Sequence, residues 1–399
     1  MLQNESKRNR IRIPNISYIV IKSMSVFITL KNIDDPEKLG GVGVYYKVLR
    51  RYLSDGIAYV HFSDDNSFSP FKKFFYRMKD TVAFTRLCKR IRKSNHIIHF
   101  NPSLNWSGVL RDGLLLLIAA LHGIKTIVFF RGWHSYMVHI IDRNRLVRTI
   151  FKSVYNRAHI FIVLSNDFKE KLHAWGFRQN MYIETTAVDN ALLNGHNHNI
   201  PAHDKNQNVN ILFLARVEKE KGVFEVIDSY QIIKQKYPNT RLTIAGDGSR
   251  LDEIKRIVET RNLPDVSFTG YVTNETKAQT LADGDIYFFP SYHGEGMPNS
   301  VLEAMAFGLP VITRPVGGLE DFFGNGRMGF ITESKDPEKF ARYIGSLIAN
   351  PDLRRWMGEH NAAFARQHFL ASVVAKRLER IYSDVLNNTV HERSWMKNL

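Results

Sequence analysis

Cysteine is almost absent from this sequence, because Cys88 is the only one among 399 residues. A single cysteine excludes an internal disulfide and a metal cage built from cysteines, and it is typical of a reducing compartment. Long apolar runs are also missing: the longest strongly apolar run, Leu114 to Leu121, is too short to cross a bilayer. No apolar core with a cleavage site follows the polar residues 1–12, so we expect no signal peptide and a cytoplasmic protein.

Acidic residues are scarce in only one half of the chain. Residues 1–200 contain 30 Lys and Arg against 14 Asp and Glu, whereas residues 201–399 contain 25 of each kind. The formal net charge of +16 therefore comes from the first half. A basic half indicates an anionic partner, which can be nucleic acid, an anionic membrane or a phosphorylated acceptor.

The segment 71–93 concentrates this charge, with nine basic residues and one acid, Asp80. Its apolar residues follow helical spacing: Phe71, Phe74, Phe75, Met78 and Val82. One interpretation is a helix that lies on the inner face of an anionic membrane. The other is a core helix with a solvated basic face. We expect no nucleic-acid partner, because no helix-turn-helix, RNP or zinc pattern accompanies the charge.

Short apolar segments alternate with helical patterns along both halves of the chain. In the first half, strands predicted at 96–100 and 126–130 alternate with helices predicted at 106–122 and 136–155. The same order begins again at Asn210. Such βα alternation predicts an α/β protein with parallel, doubly wound sheets.

A polar stretch rich in Asn and His, residues 189–209, separates the two halves and predicts a linker. We therefore expect two Rossmann-like domains, the first over residues 1–188 and the second over residues 210–370. Residues 371–399 are predicted to form a C-terminal helix and tail.

The second half contains a strand, loop and helix that suit an anionic ligand. The strand predicted at 285–289 runs into a loop that contains Glu295, and Pro298 fits the first turn of the next helix. Glu303 follows Glu295 by eight positions, about two helical turns. A phosphate can bind the N–H groups at the helix start, which belong to Gly296, Met297, Asn299 and Ser300. Taken alone, E-x7-E also occurs in an ordinary strand–loop–helix with two solvated glutamates.

Two cations precede this motif in the sequence LARVEKEKG. Arg216 and Lys221 follow the first strand of the second half, and Gly222 lets the next helix begin close by. Cations on such a loop can reach a pyrophosphate, and each charge-assisted hydrogen bond contributes about 1.5–3 kcal/mol. Taken alone, the pattern R-x4-K-G is weak, because exposed Lys and Arg are usually solvated.

The run HGEGMPNSVLEAMAFGLPVI, with R-x4-K-G ahead of it, resembles the donor-binding motif of the retaining GT-B glycosyltransferases of family 4, glycosyl transferases group 1. The resemblance implies two Rossmann-like domains that face each other across a cleft. It implies that Glu295 contacts the donor sugar, Glu303 holds the ribose, and Arg216 and Lys221 bind the diphosphate. Further matches to the family's donor-site loops lie at Gly246, Tyr271, Val272, Met297 and Pro298.

Two features of the first half match the family loosely. A glycine loop is predicted ahead of a helix at Gly40, Gly41 and Gly43, where the family's loop touches donor phosphate or acceptor. A plain βα turn without a ligand is the alternative. The family often has a catalytic histidine directly after a strand where this chain has Arg131, and His134 comes three residues later. Either residue can take that position, and a structural role for His134 remains the alternative.

A rival signal is Asp283-Gly284-Asp285, because D-x-D binds Mn²⁺ or Mg²⁺ in the other large glycosyltransferase fold. We interpret Asp285 as the boundary of an element instead, since it lies between a helix and a strand. The resemblance implies no metal and no cofactor other than the nucleotide-sugar co-substrate.

We therefore expect a glycosyltransferase that moves a hexose from a nucleotide-diphosphate donor to a saccharide or lipid-linked acceptor, in cell-surface polysaccharide assembly. The alternatives are a nucleotide-sugar epimerase with the same fold and a non-catalytic protein that binds a nucleotide or carbohydrate.

Overall fold

The chain forms two compact units. The first comprises residues 1–185 and 374–399, and the second comprises residues 186–373. The predicted linker, 189–209, is described only in part. The computed structural model describes residues 10–11, 19–20, 25–31, 41–62, 69–195, 208–294, 296–389 and 395–398.

The helices and strands alternate along most of the chain. Up to the end of the first unit's main segment they are β1 (Arg10–Ile11), β2 (Ile19–Val20), β3 (Ser25–Lys31), α1 (Gly41–Leu49), β4 (Ile57–Phe62), α2 (Pro70–Ile91), β5 (His96–Phe100), β6 (Ser103–Leu104), α3 (Trp106–Leu121), β7 (Lys125–Phe129), β8 (Gly132–Trp133), α4 (Ser135–Arg143), α5 (Arg145–Tyr155), β9 (Ile160–Val163), α6 (Asn166–Ala174) and β10 (Asn180–Ile183). The remaining elements are β11 (Val209–Leu214), α7 (Val223–Lys236), β12 (Thr240–Ala245), α8 (Leu251–Thr260), β13 (Val266–Gly270), α9 (Asn274–Ala282), β14 (Ile286–Phe289), α10 (Asn299–Ala306), β15 (Val311–Thr313), β16 (Gly329–Ile331), α11 (Pro337–Ala349), α12 (Pro351–His368) and α13 (Ala371–Asn387).

Each unit is built on a six-stranded parallel sheet. The order is β10-β9-β7-β5-β3-β4 in the first unit and β13-β12-β11-β14-β15-β16 in the second. Strands β5, β9, β11 and β14 are buried at every position. Their nearly continuous apolar sequences fit this burial, because helices cover both faces of a parallel sheet. The predicted α/β class with two doubly wound sheets is confirmed.

Helix α1 begins earlier than the sequence suggested. Gly41 and Gly43 were predicted to lie in a loop ahead of the helix, but both belong to its first turn. Tyr46 and Leu49 are fully buried on the same helix, and Gly43 is buried with them. Packing of this apolar side outweighs the low helix propensity of glycine. The predicted loop is therefore wrong for Gly41 and Gly43, and Gly40 lies outside the described residues.

The helix predicted at 136–155 is in fact two helices, α4 and α5. They meet at Asn144, which has an extended backbone with φ −106° and ψ 104°. The Asn144 side chain accepts hydrogen bonds from the N–H groups of Leu146 at 3.0 Å and Val147 at 3.1 Å. An asparagine that caps the second helix in this way ends the first one.

The two halves of helix α2 differ in burial. Its second half contributes Phe84, Leu87 and Ile91 to the core. Its first half leaves its large apolar residues exposed: Phe71, Phe74, Phe75, Met78 and Val82. The prediction of a core helix thus fits only the second half. Within the part of the chain that the structure describes, no helix has the length and apolarity needed to cross a bilayer.

A buried polar cluster connects α1, β5 and α13 of the first unit. Tyr46 Oη donates a hydrogen bond to Asn101 Oδ1 at 2.9 Å. His99 is fully buried, and its Nδ1 lies 2.8 Å from Tyr382 Oη. Burial, assisted by the positive charge of Arg131, lowers the pKa of His99 to about 3. The folded protein therefore holds this imidazole neutral at all but strongly acidic pH.

The lowered pKa of His99 predicts that this residue makes the stability of the fold depend on pH. In the unfolded chain a histidine has a pKa of about 6.5, so between that pH and about pH 3 the unfolded state binds one proton more than the folded state. The free energy of unfolding must fall as the pH falls through this window. We expect His99→Gln to lose that part of the decline, measured as Tm against pH beside wild type. Parallel curves for the two proteins would contradict the assignment.

Candidate functional site

The sheet of the second unit reverses its order between β11 and β14. Strands β12 and β13 lie on one side of β11, and β14, β15 and β16 lie on the other. Because all six strands are parallel, their carboxyl ends share one edge. Ligands of open α/β sheets bind in the crevice at such a reversal. The two loops at this point, residues 215–222 and 290–298, contain six of the twelve predicted donor-binding residues.

One backbone carbonyl connects these two loops. Glu220 O accepts hydrogen bonds from Tyr292 N at 2.9 Å and His293 N at 3.1 Å. Ser291 Oγ donates a third at 3.2 Å. The loop that contains Arg216 and Lys221 is therefore held directly against the loop that leads to the Glu295 motif.

Gly222 makes this close approach feasible. Its φ of +81° lies in the left-handed region, which favours glycine. A Cβ atom at this position would lie 2.6 Å from Pro290 O. Any other residue would therefore have to separate the two loops, which explains the glycine that ends R-x4-K-G.

The two predicted cations of this loop have different surroundings. Lys221 is buried, with 8% of its surface exposed, and its Nζ lies 5.9 Å from the centre of the Phe289 ring. Arg216 is exposed. Lys221 is therefore a fixed cation beside the end of β14, whereas Arg216 presents its charge to solvent and can adjust to a ligand.

The loops after β12 and β13 join the same edge. Gly246 N donates to Gly270 O at 2.8 Å, and Val217 N donates to Asp247 O at 2.9 Å. A Cβ atom on Gly246 would lie only 1.9 Å from Ala215 O. The predicted glycine is therefore needed so that the loops after β11 and β12 can touch.

Tyr271 and Val272 follow β13 and differ in exposure. Tyr271 is 80% exposed, and Val272 is buried. An exposed aromatic ring at a strand end can stack on a base, whereas Val272 packs against the protein.

The helix α10 begins one residue later than predicted. Pro298 immediately precedes it, with φ −74° and ψ 107°, and Asn299 is its first residue. The N–H groups of the first turn, which includes Asn299 and Ser300, have no acceptor within the helix. Met297 and Pro298 are buried, and Gly296 O accepts a hydrogen bond from the backbone of the neighbouring turn. Glu295 lies outside the described residues.

Glu303 is buried within α10, with 7% of its surface exposed. Its Oε1 lies 2.5 Å from Lys277 Nζ on α9. Burial raises the pKa of Glu303, while the charge and hydrogen bond of Lys277 act in the opposite direction. Lys277 therefore helps to keep Glu303 in the carboxylate form, which can accept hydrogen bonds from ligand hydroxyls.

The sequence did not point to Lys277. It lies on a different helix from Glu303, far away in the chain, and no local spacing links the two residues. Only the packing of α9 beside α10 brings the ammonium group to the carboxylate.

The predicted catalytic residues of the first unit lie in different surroundings. The guanidinium carbon of Arg131 lies 3.6 Å from the centre of the Tyr45 ring. Trp133 stacks on Phe168, with ring centres 4.2 Å apart. His134 is exposed at the start of α4 and makes no capping hydrogen bond through its side chain. Arg131 is thus fixed by the core, whereas His134 faces solvent.

The carboxylates of the D-x-D signal contact the fold. Asp285 Oδ2 accepts a hydrogen bond from Asn210 N at 2.7 Å, and Asp283 Oδ1 accepts one from Gln279 Nε2 at 2.7 Å. These contacts fit the interpretation of Asp285 as an element boundary. Within the described ranges, His, Cys, Asp and Glu form no group of three or more that could hold a metal ion.

Comparison with known proteins shows what this chain is similar to. Residues 196–364 match the family model described as "Glycosyl transferases group 1". The structure resembles that of Alr3699/HepE from Anabaena in complex with UDP, with a TM-score of 0.68 and 15% identity over 90% of this chain and all of that one. The chain has the GT-B fold.

Two of the relatives are named as glycosyltransferases. The chain is 27% identical, over 78% of its length and 85% of the relative's, to the capsular polysaccharide biosynthesis glycosyltransferase CapM of Staphylococcus aureus. It is 29% identical to a phosphatidyl-myo-inositol mannosyltransferase of Mycobacterium tuberculosis, over 45% of this chain and 48% of that protein.

The pair of Lys277 and Glu303 gives a test of the site's electrostatics. Removal of the ammonium group by Lys277→Met leaves a buried carboxylate without this partner, so we expect the free energy of unfolding to fall by about 1–3 kcal/mol. In a Glu303→Gln background the same substitution should cost clearly less, because no charge remains to be compensated. Urea unfolding of the four proteins measures the coupling. Equal losses in both backgrounds would show that the pair contributes nothing.

Proposed function

We propose that the protein is a retaining glycosyltransferase of family 4. It transfers a hexose from a nucleotide-diphosphate donor to a saccharide or lipid-linked acceptor in cell-surface polysaccharide assembly, without a metal ion. The observation that carries this proposal is the pair of connected loops at the sheet reversal of the second unit. There Lys221 and Arg216 lie on one loop, and the other loop leads into the first turn of α10.

This arrangement suits a diphosphate. Lys221 supplies a fixed positive charge, and Arg216 can form two parallel hydrogen bonds to phosphate oxygens. The first-turn N–H groups of α10 add donors from the second loop. Together these groups stabilise the charge that a nucleoside diphosphate gains as it leaves. Solved structures of Alr3699/HepE contain UDP and UDP-glucose, which supports the same class of donor here.

The reaction that this site supports exchanges one bond for another. The acceptor hydroxyl oxygen bonds to the anomeric carbon, on the face that the diphosphate leaves. The bond from that carbon to the β-phosphate oxygen breaks, and its electron pair departs with the nucleoside diphosphate. The hydroxyl proton passes to a phosphate oxygen of the leaving group.

Further residues bind the rest of the donor. Glu303, which forms an ion pair with Lys277, accepts hydrogen bonds from the ribose hydroxyls. Tyr271 and Val272 lie on the base side, and Gly246 allows the loop after β12 to approach the phosphates. Glu295 orients the sugar, a role that rests on the family resemblance. In the first unit, His134 and Arg131 are the candidates for the catalytic position.

The first unit also carries a surface that suits an anionic membrane. Phe71 is 82% exposed at the start of α2, and Phe74 and Phe75 beside it are exposed too. Arg77 Nη2 on α2 donates a hydrogen bond to Ser107 Oγ on α3 at 3.2 Å. This hydrogen bond places α3 beside α2, and three apolar residues spaced by four are exposed on α3: Trp106, Leu110 and Leu114. Isolated apolar side chains are common on surfaces, but groups of exposed apolar residues on neighbouring helices are typical of interaction sites.

The basic residues near these exposed apolar side chains favour an anionic partner. Lys72 and Lys79 are exposed among the apolar residues of α2, and each basic residue near an anionic bilayer contributes about 1 kcal/mol. Aromatic anchors with basic neighbours are typical of helices that lie in a membrane interface. The protein thus works at the cytoplasmic face, where a lipid-linked acceptor is available. The named activity of the mycobacterial relative, on a phosphatidyl-inositol lipid, supports such an acceptor.

We expect substitutions at the two ends of the second unit's sheet to differ in their effect on UDP affinity. We expect Lys221→Ala and Arg216→Ala each to weaken UDP binding by about tenfold or more, since each removes a charge-assisted hydrogen bond. Arg241→Ala is the matched control, because Arg241 is exposed near the amino end of β12. Calorimetric titration with UDP measures all three. Losses in the control as large as at Lys221 would remove the proposed site.

Transfer itself is tested with a panel of nucleotide-sugars and lipid-linked acceptors, by the release of nucleoside diphosphate. Release that depends on an acceptor and falls in Lys221→Ala supports the transferase. Interconversion of two nucleotide-sugars without release would indicate an epimerase. Donor binding without either reaction would indicate a non-catalytic protein.

The membrane surface predicts binding that depends on both apolar and charged residues. We expect wild type to float with vesicles that contain anionic lipid and not with neutral vesicles. Phe71→Ser combined with Phe74→Ser and Phe75→Ser should abolish flotation, because the apolar anchors are lost. Trp356→Ser, which changes an exposed aromatic residue of the second unit, is the control. Flotation of the triple variant at the wild-type level would contradict the proposal.

A further inference from the structure

Arg131 is held in the first unit by aromatic rings. It follows β7, at the carboxyl edge of the sheet. Its guanidinium carbon lies 3.6 Å from the centre of the Tyr45 ring and 4.8 Å from that of Phe129. Such contacts fix the plane of the guanidinium group but do not neutralise its charge.

Arg131 and Tyr45 each have a polar group that can donate a further hydrogen bond, judged from the described residues. Nη1 of Arg131 is buried and has no acceptor among them. The hydroxyl oxygen of the buried Tyr45 interacts with the Arg131 side chain, but the hydroxyl has no acceptor for its own proton among them. A buried donor without a partner is costly. Two such groups side by side indicate a binding site for something that accepts hydrogen bonds.

The carboxylate whose charge acts on Tyr45 already binds another arginine. Glu184, whose charge acts on Tyr45 together with that of Arg131, is held by Arg377 through two bonds of 2.8 and 2.9 Å. His99 is neutral, because burial lowers its pKa to about 3. Burial also raises the pKa of Tyr45, so its hydroxyl stays protonated. Arg131 therefore keeps a positive charge that the described surroundings do not balance.

We propose that Arg131 binds an anionic group of the acceptor, a phosphate or a carboxylate, with the Tyr45 hydroxyl as a second donor. This inference rests on the proposed transferase function, which supplies the acceptor. Guanidinium groups bind both anions through parallel hydrogen bonds, and an anion would balance the charge of Arg131. The diphosphate of the donor has its own cations in the second unit, at Arg216 and Lys221.

Two chemical sources of phosphate, acceptor and donor, must be separated in the test. We would measure the Tm of the full chain across inorganic phosphate concentrations, against sodium chloride of equal ionic strength, and derive the Kd from the rise in Tm. A parallel titration would use UDP. Wild type is compared with Arg131→Met, Arg131→Lys and Tyr45→Phe, and Lys221→Ala serves as the donor-site control.

We expect phosphate to bind at least tenfold more weakly to Arg131→Met than to wild type. Arg131→Lys, which keeps the charge, and Tyr45→Phe, which keeps the ring, should lose less. The Kd for UDP should stay within twofold in all three. Lys221→Ala should show the opposite pattern: UDP affinity falls at least tenfold, whereas phosphate affinity falls less than in Arg131→Met.

Other results would overturn the inference. A phosphate response that is absent in wild type, or equal in Arg131→Met, would remove the anion site. A tenfold loss of UDP affinity in Arg131→Met would assign the site to the donor instead. If neither wild type nor any variant binds UDP, but phosphate binding still depends on Arg131, the anion site is supported and the proposed transferase function fails.

Discussion

The site of the second unit depends on the hydrogen bonds that Glu220 O accepts from the loop after β14. These bonds join the loops that follow the two strands between which the sheet order reverses, so the loop with the cations is held against the loop that leads to α10. Gly222 permits the contact, because a side chain there would meet Pro290 O. A charged ligand bound here meets groups that are already in place, which reduces the cost of reorganisation.

Much of this could be predicted from the sequence, for identifiable reasons. Apolar runs such as that of β11 are typical of buried parallel strands, and the R-x4-K-G and E-x7-E patterns lie within single loops and helices. The predictions that were wrong concern places where two local effects compete. Gly41 and Gly43 are helical because packing of α1 outweighs the low helix propensity of glycine. Asn144 divides the predicted helix because its side chain caps the second part. Spacing alone does not reveal how such competing terms are resolved.

Contacts between distant parts of the chain were beyond sequence reasoning altogether. Lys277 meets Glu303 because α9 packs beside α10, and Arg131 lies over Tyr45 because β7 and α1 meet in the first unit. In both cases a charged group is held in the protein interior, where its state depends on few neighbours. Such groups are costly to keep, which is why they suggest functional rather than structural roles.

The central claim is that the two connected loops of the second unit bind the diphosphate of the donor. A crystal structure of the full chain with UDP tests it most directly. The account predicts the diphosphate beside Lys221 and Arg216, at the first turn of α10, with the ribose at Glu303. A diphosphate bound elsewhere, with Lys221 out of contact, would contradict it.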